Sequence, residues 1–174
     1  MPTVSAMKGT LIPYFLLAFA FEAQGVDYTW NGTGADRQWN TAANWLPSTG
    51  VPGLEDSALL TSNGDNPTLV LLGGEVRLRQ LVFDPGVLHE CRLEGDSLWL
   101  GDGAGVMFRK LPGDVGNGQS ASQSIAGSLR LSGRVRFANQ NRLYLGGEKL
   151  RIDGMVSGDG EFVVGGVRHG IVQL

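Results

Sequence analysis

One short pattern recurs along this chain. SLWLGD (Ser97–Asp102), SLRLSG (Ser128–Gly133), RLYLGG (Arg142–Gly147) and KLRIDG (Lys149–Gly154) each alternate polar and apolar residues and close on a pair that contains glycine. Successive side chains of a strand point to opposite faces, so this period of two puts Leu and Ile on one face and polar groups on the other. SLRLSG and KLRIDG start 21 residues apart, at Ser128 and Lys149, and a similar step on from there reaches IVQL at the end of the sequence. That spacing lies at the lower end of the range for solenoid repeats, about 20–50 residues. A chain under this constraint is expected to be all-β. It would wind as a single-stranded, right-handed parallel β-helix in which each coil stacks a strand on its predecessor and the inward Leu, Val and Ile form a continuous ladder. Hairpins in an antiparallel β-sandwich would give the same alternation. The recurrent unit is a short strand ended by glycine rather than a paired hairpin, which favours the β-helix.

The same alternation runs through Val76 and Leu78 with Arg77 and Arg79, Cys91 and Leu93 with Arg92 and Glu94, and Val135 and Phe137 with Arg134 and Arg136. Between these segments the sequence is punctuated by glycine, 27 in 174 residues. That is about twice the usual ~7 % and suits many tight turns better than helices. Net charge is -3 with a pI near 5.3, so the composition indicates neither a nucleic-acid surface nor a polybasic membrane patch. The arginines of VRLRQ and GRVRF alternate with apolar residues and read as solvated strand faces.

The N-terminus carries an address. After Lys8 the sequence is apolar from Leu11 to Phe21, shorter than the ~20 residues a bilayer-spanning helix needs and suited to the hydrophobic core of a signal peptide. Residues 1–25 are expected to be removed after Gly25, leaving an exported chain with no membrane insertion, extracellular or on a bacterial cell surface. Residues 26–66 then form a tryptophan-containing cap and 67–174 a β-strand repeat region. Because the sequence stops in GIVQL, where the pattern places mid-strand, the repeat region is expected to be truncated; an uncapped solenoid end leaves a bare strand edge.

Cys91 is the only cysteine, so no disulfide framework is implied. It stands two residues from His89, on the same strand face as Leu93. A Cys–His nucleophile would need a third, orienting residue, and none is evident; a small thiol on an inward face is the plainer reading.

Three of the four tryptophans fall within Tyr28–Trp45, YTWNGTGADRQWNTAANW. Two roles suit them. Trp30, Trp39 and Trp45 could fold over the first coil as an end cap, each ring burying ~150–250 Å² while its N–H finds a carbonyl. Alternatively Trp39 and Trp45 could present indole faces to sugar rings, with Asn40 and Asn44 bonding the hydroxyls.

The run Trp30-Asn31-Gly32, then Trp39-Asn40-Thr41-Ala42-Ala43-Asn44-Trp45, then Val51-Pro52-Gly53 and Asp56-Ser57-Ala58 resembles the opening of autotransporter-associated β-strand repeat proteins of bacteria. RLYLGGEKLRIDGMVSGDGEFVVGG resembles their glycine-spaced repeat. The resemblance implies a secreted, β-helical, passenger-like protein with a structural or adhesive role. The C-terminal translocating barrel and the threonine-rich stretch of that family are absent from this sequence.

A glycosidase needs two carboxylates ~5–10 Å apart; Glu90 and Glu94, on one strand face, would sit roughly 13 Å apart by strand rise. Asp84, Asp96, Asp102, Glu148, Asp153, Asp159 and Glu161 form no evident pair. NGDN (Asn63–Asn66), GDG (Gly101–Gly103) and SGDG (Ser157–Gly160) lack the oxygen-rich spacing of calcium loops. His89 and His169 stand far apart, without ligand-spaced partners for zinc, and no phosphate-binding glycine motif precedes a helix. The expectation is therefore no catalytic residue, no metal and no cofactor. The function expected is a structural or adhesin-like surface segment; the alternative is an extracellular carbohydrate-binding module. The partner expected is a cell-surface or extracellular polysaccharide, not nucleic acid.

Overall fold

The computed structural model describes residues 25–61, 67–84, 90–108, 122–139, 149–166 and 171–173. Strands follow one another as β1 (Asp27–Trp30), β2 (Trp45–Leu46), β3 (Ser57–Thr61), β4 (Thr68–Leu72), β5 (Val76–Asp84), β6 (Cys91–Gly95), β7 (Ser97–Phe108), β8 (Ser122–Ile125), β9 (Ser128–Leu131), β10 (Arg134–Asn139), β11 (Lys149–Ile152), β12 (Val156–Gly158), β13 (Glu161–Gly166) and β14 (Ile171–Gln173). Among the described residues one 3-10 turn, Ala42–Asn44, interrupts them. Among the described residues no helix is long and apolar enough to cross a membrane.

Pairing is parallel throughout except for β1 with β2. Two sheets result: β14-β11-β8-β6-β4, and a nine-stranded sheet that runs from β2 through β1, β3, β5, β7 and β9 to β12, with β10 and β13 branching from β7. The large sheet has two wings. Val76–Leu78 of β5 align with Leu98–Leu100 of β7, then the register shifts, and Gln80–Phe83 align with Gly105–Phe108. Beyond β7 the wings separate fully: β9 and β12 continue the first, β10 and β13 the second. Each circuit of the chain therefore lays one strand on the five-stranded sheet, one on the first wing and one on the second. This is a parallel β-solenoid of stacked coils.

The inward ladders follow the alternation in the sequence. Val70, Leu93, Ile125 and Ile152 stack along the five-stranded sheet. Val76, Leu98 and Leu129 stack on the first wing, and Ala58, Leu81, Val106 and Phe137 on the second. All of these are buried. Where the chain passes from wing to wing the alternation is interrupted: the buried positions step by three from Leu78 to Leu81, and between the buried Leu100 and Ala104 the intervening Asp102 is exposed. A strict period of two cannot survive a corner, since the chain must turn without carrying a side chain to the wrong face.

Two expectations about the repeat meet different outcomes. SLWLGD and SLRLSG stack in register, with Ser97 beside Ser128, Leu98 beside Leu129 and Leu100 beside Leu131. KLRIDG, by contrast, lies in the five-stranded sheet against β8, so although it opens the following coil it does not stack on SLRLSG; β12 does. RLYLGG lies outside the described residues. The circuit is not a constant 21 residues: stacked neighbours are Ser57 and Gln80, then Ser97 and Ser128, then Leu129 and Val156. Every face of the coil obeys the same local alternation, so two faces of one circuit look like two successive repeats. The variation in length collects at one corner, from the second wing back to the five-stranded sheet: β7 ends at Phe108 and β8 begins at Ser122, whereas only Asp96 separates β6 from β7.

At the corner between the five-stranded sheet and the first wing, backbone stacks on backbone. A Cβ on Gly127 would lie 2.5 Å from the Asp96 carbonyl oxygen, the coil before, and one on Gly154 would lie 2.0 Å from the carbonyl oxygen of Gly127. With coils about 4.8 Å apart there is no room for a methyl group, which accounts for the glycines of these turns. In the last full coil Met155, Val156 and Val164 are exposed, while Phe162 stacks on Phe137 with ring centroids 3.9 Å apart.

Candidate functional site

The tryptophan block closes the first coil. Backbone of Arg37–Trp39 lies along β4: the Leu71 N–H donates to the Arg37 carbonyl at 2.9 Å and the Trp39 N–H to the Leu71 carbonyl at 2.8 Å. Over this rim the aromatics form an edge-to-face cluster around Trp45, with Trp39 at 4.6 Å, Trp30 at 5.0 Å and Tyr28 at 6.4 Å between ring centroids. Such geometry sets the positive edge of one ring against the negative face of another. The Trp45 Nε1–H donates to the Trp39 carbonyl at 2.8 Å and the Trp39 Nε1–H to the Pro52 carbonyl at 3.3 Å. Among the described residues the Trp30 Nε1 has no hydrogen-bond partner.

A polar hub holds the loops around the cluster. Asn44 is fully buried; its Oδ1 accepts from the Gly34 N–H at 2.6 Å, and its Nδ2 donates to the Gln38 carbonyl at 2.9 Å and to Asp36 Oδ1 at 3.1 Å. The Thr41 hydroxyl and the Gln38 N–H also donate to Asp36 and hold its carboxyl below the ordinary carboxylate value. Asp56 accepts from the N–H groups of Val26 at 2.7 Å and Gly53 at 2.8 Å. The motif residues Trp39, Asn44, Trp45 and Asp56 are thus joints of one cap.

This placement bears directly on the sugar-platform reading. Trp39 and Trp45 are 2 % and 0 % exposed and Asn44 is 0 % exposed, so neither indole leaves a face for a sugar ring and Asn44 has no outward amide; only Asn40 of the four is exposed. The physical reason is the open end of the ladder: Leu60, Val70 and Leu72 would meet water there, and rings are the largest covers available.

Cys91 is buried on the inward face, in a row with Thr68 and Gln123. Its N–H donates to the Gln123 Oε1 at 2.8 Å, the join at which a polar side chain enters the core. Periodicity alone gave no sign of Gln123. Burial pushes the Cys91 thiol from 9.0 up to about 12; a backbone hydrogen bond at Arg92 opposes it in part, and the neighbouring Glu90 adds a lesser push upward. A protonated, enclosed thiol is no nucleophile. In the native protein Cys91 is expected to resist an aromatic disulfide reagent at pH 8 and to react fully in guanidinium; rapid native labelling would refute its burial. The raised folded value favours folding below the unfolded thiol's pKa, and that contribution is lost as pH rises from about 9 towards 12. His89 and His169 lie outside the described residues.

The outer faces are lined with arginine–carboxylate pairs, as the alternation of VRLRQ and GRVRF implies. Arg92 pairs with Glu94, Arg151 with Asp153 at 2.8 Å, and Arg134 with Glu161 at 3.0 Å. Asp102 accepts from the Arg134 backbone N–H at 2.8 Å. These carboxylates are engaged with cations or backbone rather than facing one another across a groove. Among the described residues no three His, Cys, Asp or Glu side chains are placed to hold a metal ion. NGDN and Glu148 fall outside the described residues.

One outward row differs from the rest. On the first wing Arg77, Trp99, Arg130 and Ser157 stack on successive coils. The Arg77 guanidinium carbon sits 5.2 Å from the centroid of the half-buried Trp99 ring, and its Nη2 lies 2.7 Å from Glu75. Arg130 reaches the other oxygen of Glu75 at 3.9 Å. A surface depression of about 350 Å³ adjoins the row and is lined by Asn40, Pro52, Leu54, Glu75 and Arg77, among others. The alternation marked Trp99 as outward and Arg77 and Arg130 as solvated; their proximity follows from circuits of different length and was not legible in the sequence.

Compared with family models, with curated proteins and with solved structures, the chain matches none of them. By its pairing and its inward ladders the protein is an all-β parallel β-solenoid.

Proposed function

We propose that the chain is a structural, adhesin-like segment displayed outside the cell, without catalytic activity, similar in role to the passenger-like autotransporter-associated repeat proteins its tryptophan block resembles. The observation that carries this reading is the stack of parallel coils sealed at its first rim, with outer faces of paired arginines and carboxylates. Such a stack makes an elongated, solvated rod that projects and displays surface. The coils are taken as right-handed, as nearly all crossovers between parallel strands are. Export is supported by the apolar run Leu11–Phe21. It also suits the start of β1: the Val26 N–H faces Asp56 Oδ1 at 2.7 Å, so cleavage after Gly25 would put an ammonium group against that carboxylate.

The test is expression of the whole sequence in a Gram-negative host. The expected product is a periplasmic or released chain whose mass begins at Val26, which, coated on beads, holds them to a polysaccharide-bearing surface. Full-length chain kept in the cytoplasm would overturn the export reading. Release of reducing sugar from a polysaccharide panel would overturn the non-catalytic one. The carbohydrate-binding module remains the second reading, and the outward Trp99 is the observation that favours it.

A further inference from the structure

We propose that the outer face of the first wing binds an acidic polysaccharide, a glycan bearing uronate carboxylates, with Trp99 as the platform for a sugar ring and Arg130 as the reader of its carboxylate. The proposal rests on the extracellular adhesive reading above and names its ligand class.

Trp99 is the one tryptophan outside the cap. It stands on the outward side of β7 between two buried leucines, Leu98 and Leu100. No core contact requires an indole there, and the coils before and after place arginine at the same position. The next outward position on that strand is Gly101, where a Cβ would come within 2.8 Å of the ring. The ring thus lies over a strand position cleared of any side chain, in the shape of a low shelf.

The two arginines have unequal duties. Arg77 lies at cation–π distance from the indole and is tied to Glu75 at 2.7 Å; it is a positioning residue that orients the ring. Arg130 has one long contact, 3.9 Å to the same carboxylate, and its side chain is 59 % exposed. An exposed pair at that distance contributes little, so the Arg130 guanidinium can turn to a ligand at small cost. Its fork matches a carboxylate in bidentate fashion. Two guanidinium groups share one Glu75, leaving the cluster one positive charge in excess, which a uronate would complete.

Rows on successive coils are about 4.8 Å apart, so Arg77 to Arg130 spans roughly 10 Å. With the adjoining depression and its exposed Asn40, the surface suits a short oligosaccharide lying along the solenoid axis rather than a single sugar. A polyphosphate is the poorer fit. It needs a run of unengaged cations, and Arg92, Arg134 and Arg151 each already have a carboxylate partner.

The experiment is titration of the intact chain with a galacturonic acid tetramer, followed by tryptophan fluorescence and calorimetry, beside an uncharged galactose tetramer and a single-stranded oligonucleotide. The acidic tetramer should bind, quench the emission and weaken as salt is raised. Trp99→Ala should lower its affinity about tenfold or more. Arg130→Gln should do so about five- to tenfold for the acidic tetramer while leaving any residual affinity for the neutral one unchanged. Trp99→Phe should retain part of the binding, and thermal melts should show all three variants folded. Equal binding of acidic and neutral tetramers, tighter binding of the oligonucleotide, undiminished binding by Trp99→Ala, or no binding of the acidic tetramer would each overturn the proposal. Failure of the parent reading looks different. If beads adhere to a polysaccharide surface and the Trp99 and Arg130 variants adhere equally, adhesion stands and this site falls. If the tetramer binds in solution but beads do not adhere, the site stands and the adhesive role falls.

Discussion

Trp45→Ala is expected to destabilise the protein by about 3–5 kcal/mol, the usual cost of emptying a tryptophan-sized core position. Trp45 is fully buried, and it is the ring that Trp30, Trp39 and Tyr28 all meet edge-on. Its loss also strips the Trp39 carbonyl of its donor. The cavity would sit against the open rim of the first coil, where water can enter, so little of it can close by collapse. Urea unfolding followed by far-UV circular dichroism gives the loss directly, with near-UV signal reporting the ring cluster. Asn40→Ala is the matched control: it is exposed and should stay within about 0.5 kcal/mol. Equal effects of the two substitutions would mean that the cap does not seal the core.

Leu129→Arg should be more damaging still. Leu129 is fully buried, stacked between Leu98 and Val156. A guanidinium there would be an unpaired charge inside a ladder of hydrocarbon, a loss of about 3–5 kcal/mol beyond the lost packing, enough to exhaust the roughly 5–15 kcal/mol that holds a domain together. The expected outcome is insoluble or protease-sensitive chain. One residue on, Arg130→Ser should leave the melting temperature nearly unchanged, since that side faces water. A folded, soluble Leu129→Arg protein would contradict the assignment of inside and outside on this wing.

That contrast between Leu129 and Arg130 was readable in SLRLSG itself, because side-chain direction along a strand is a local rule. Membership of a particular sheet was not. SLRLSG and KLRIDG obey the same rule, yet one lies on the first wing and the other on the five-stranded sheet. Nothing within six residues distinguishes the faces of a coil; the length of the connecting turns does so, and those lengths vary. The candidate site was legible to the same degree. Trp99 could be placed outward from its neighbours, but its approach to Arg77 and Arg130 depends on how far along the chain each circuit closes. For the cap, the sequence left two roles open for Trp39 and Trp45. Both rings are buried, a placement that aromatic spacing in a polar loop does not reveal.

Sequence alone, then, determined that this protein is all-β and which face of each short strand turns inward, and it favoured stacked coils punctuated by glycine over an antiparallel sandwich. These follow from pleat geometry and from the hydrophobic cost of exposing Leu, Val and Ile, both properties of neighbouring residues. Tertiary structure decided the length of each circuit, the bending of one sheet into two wings, the sealing of the first coil by three tryptophans, and the meeting of Trp99 with two arginines on its outer face. Those depend on contacts between residues some 20 to 30 apart, where each coil must fit the surface the previous one has laid down.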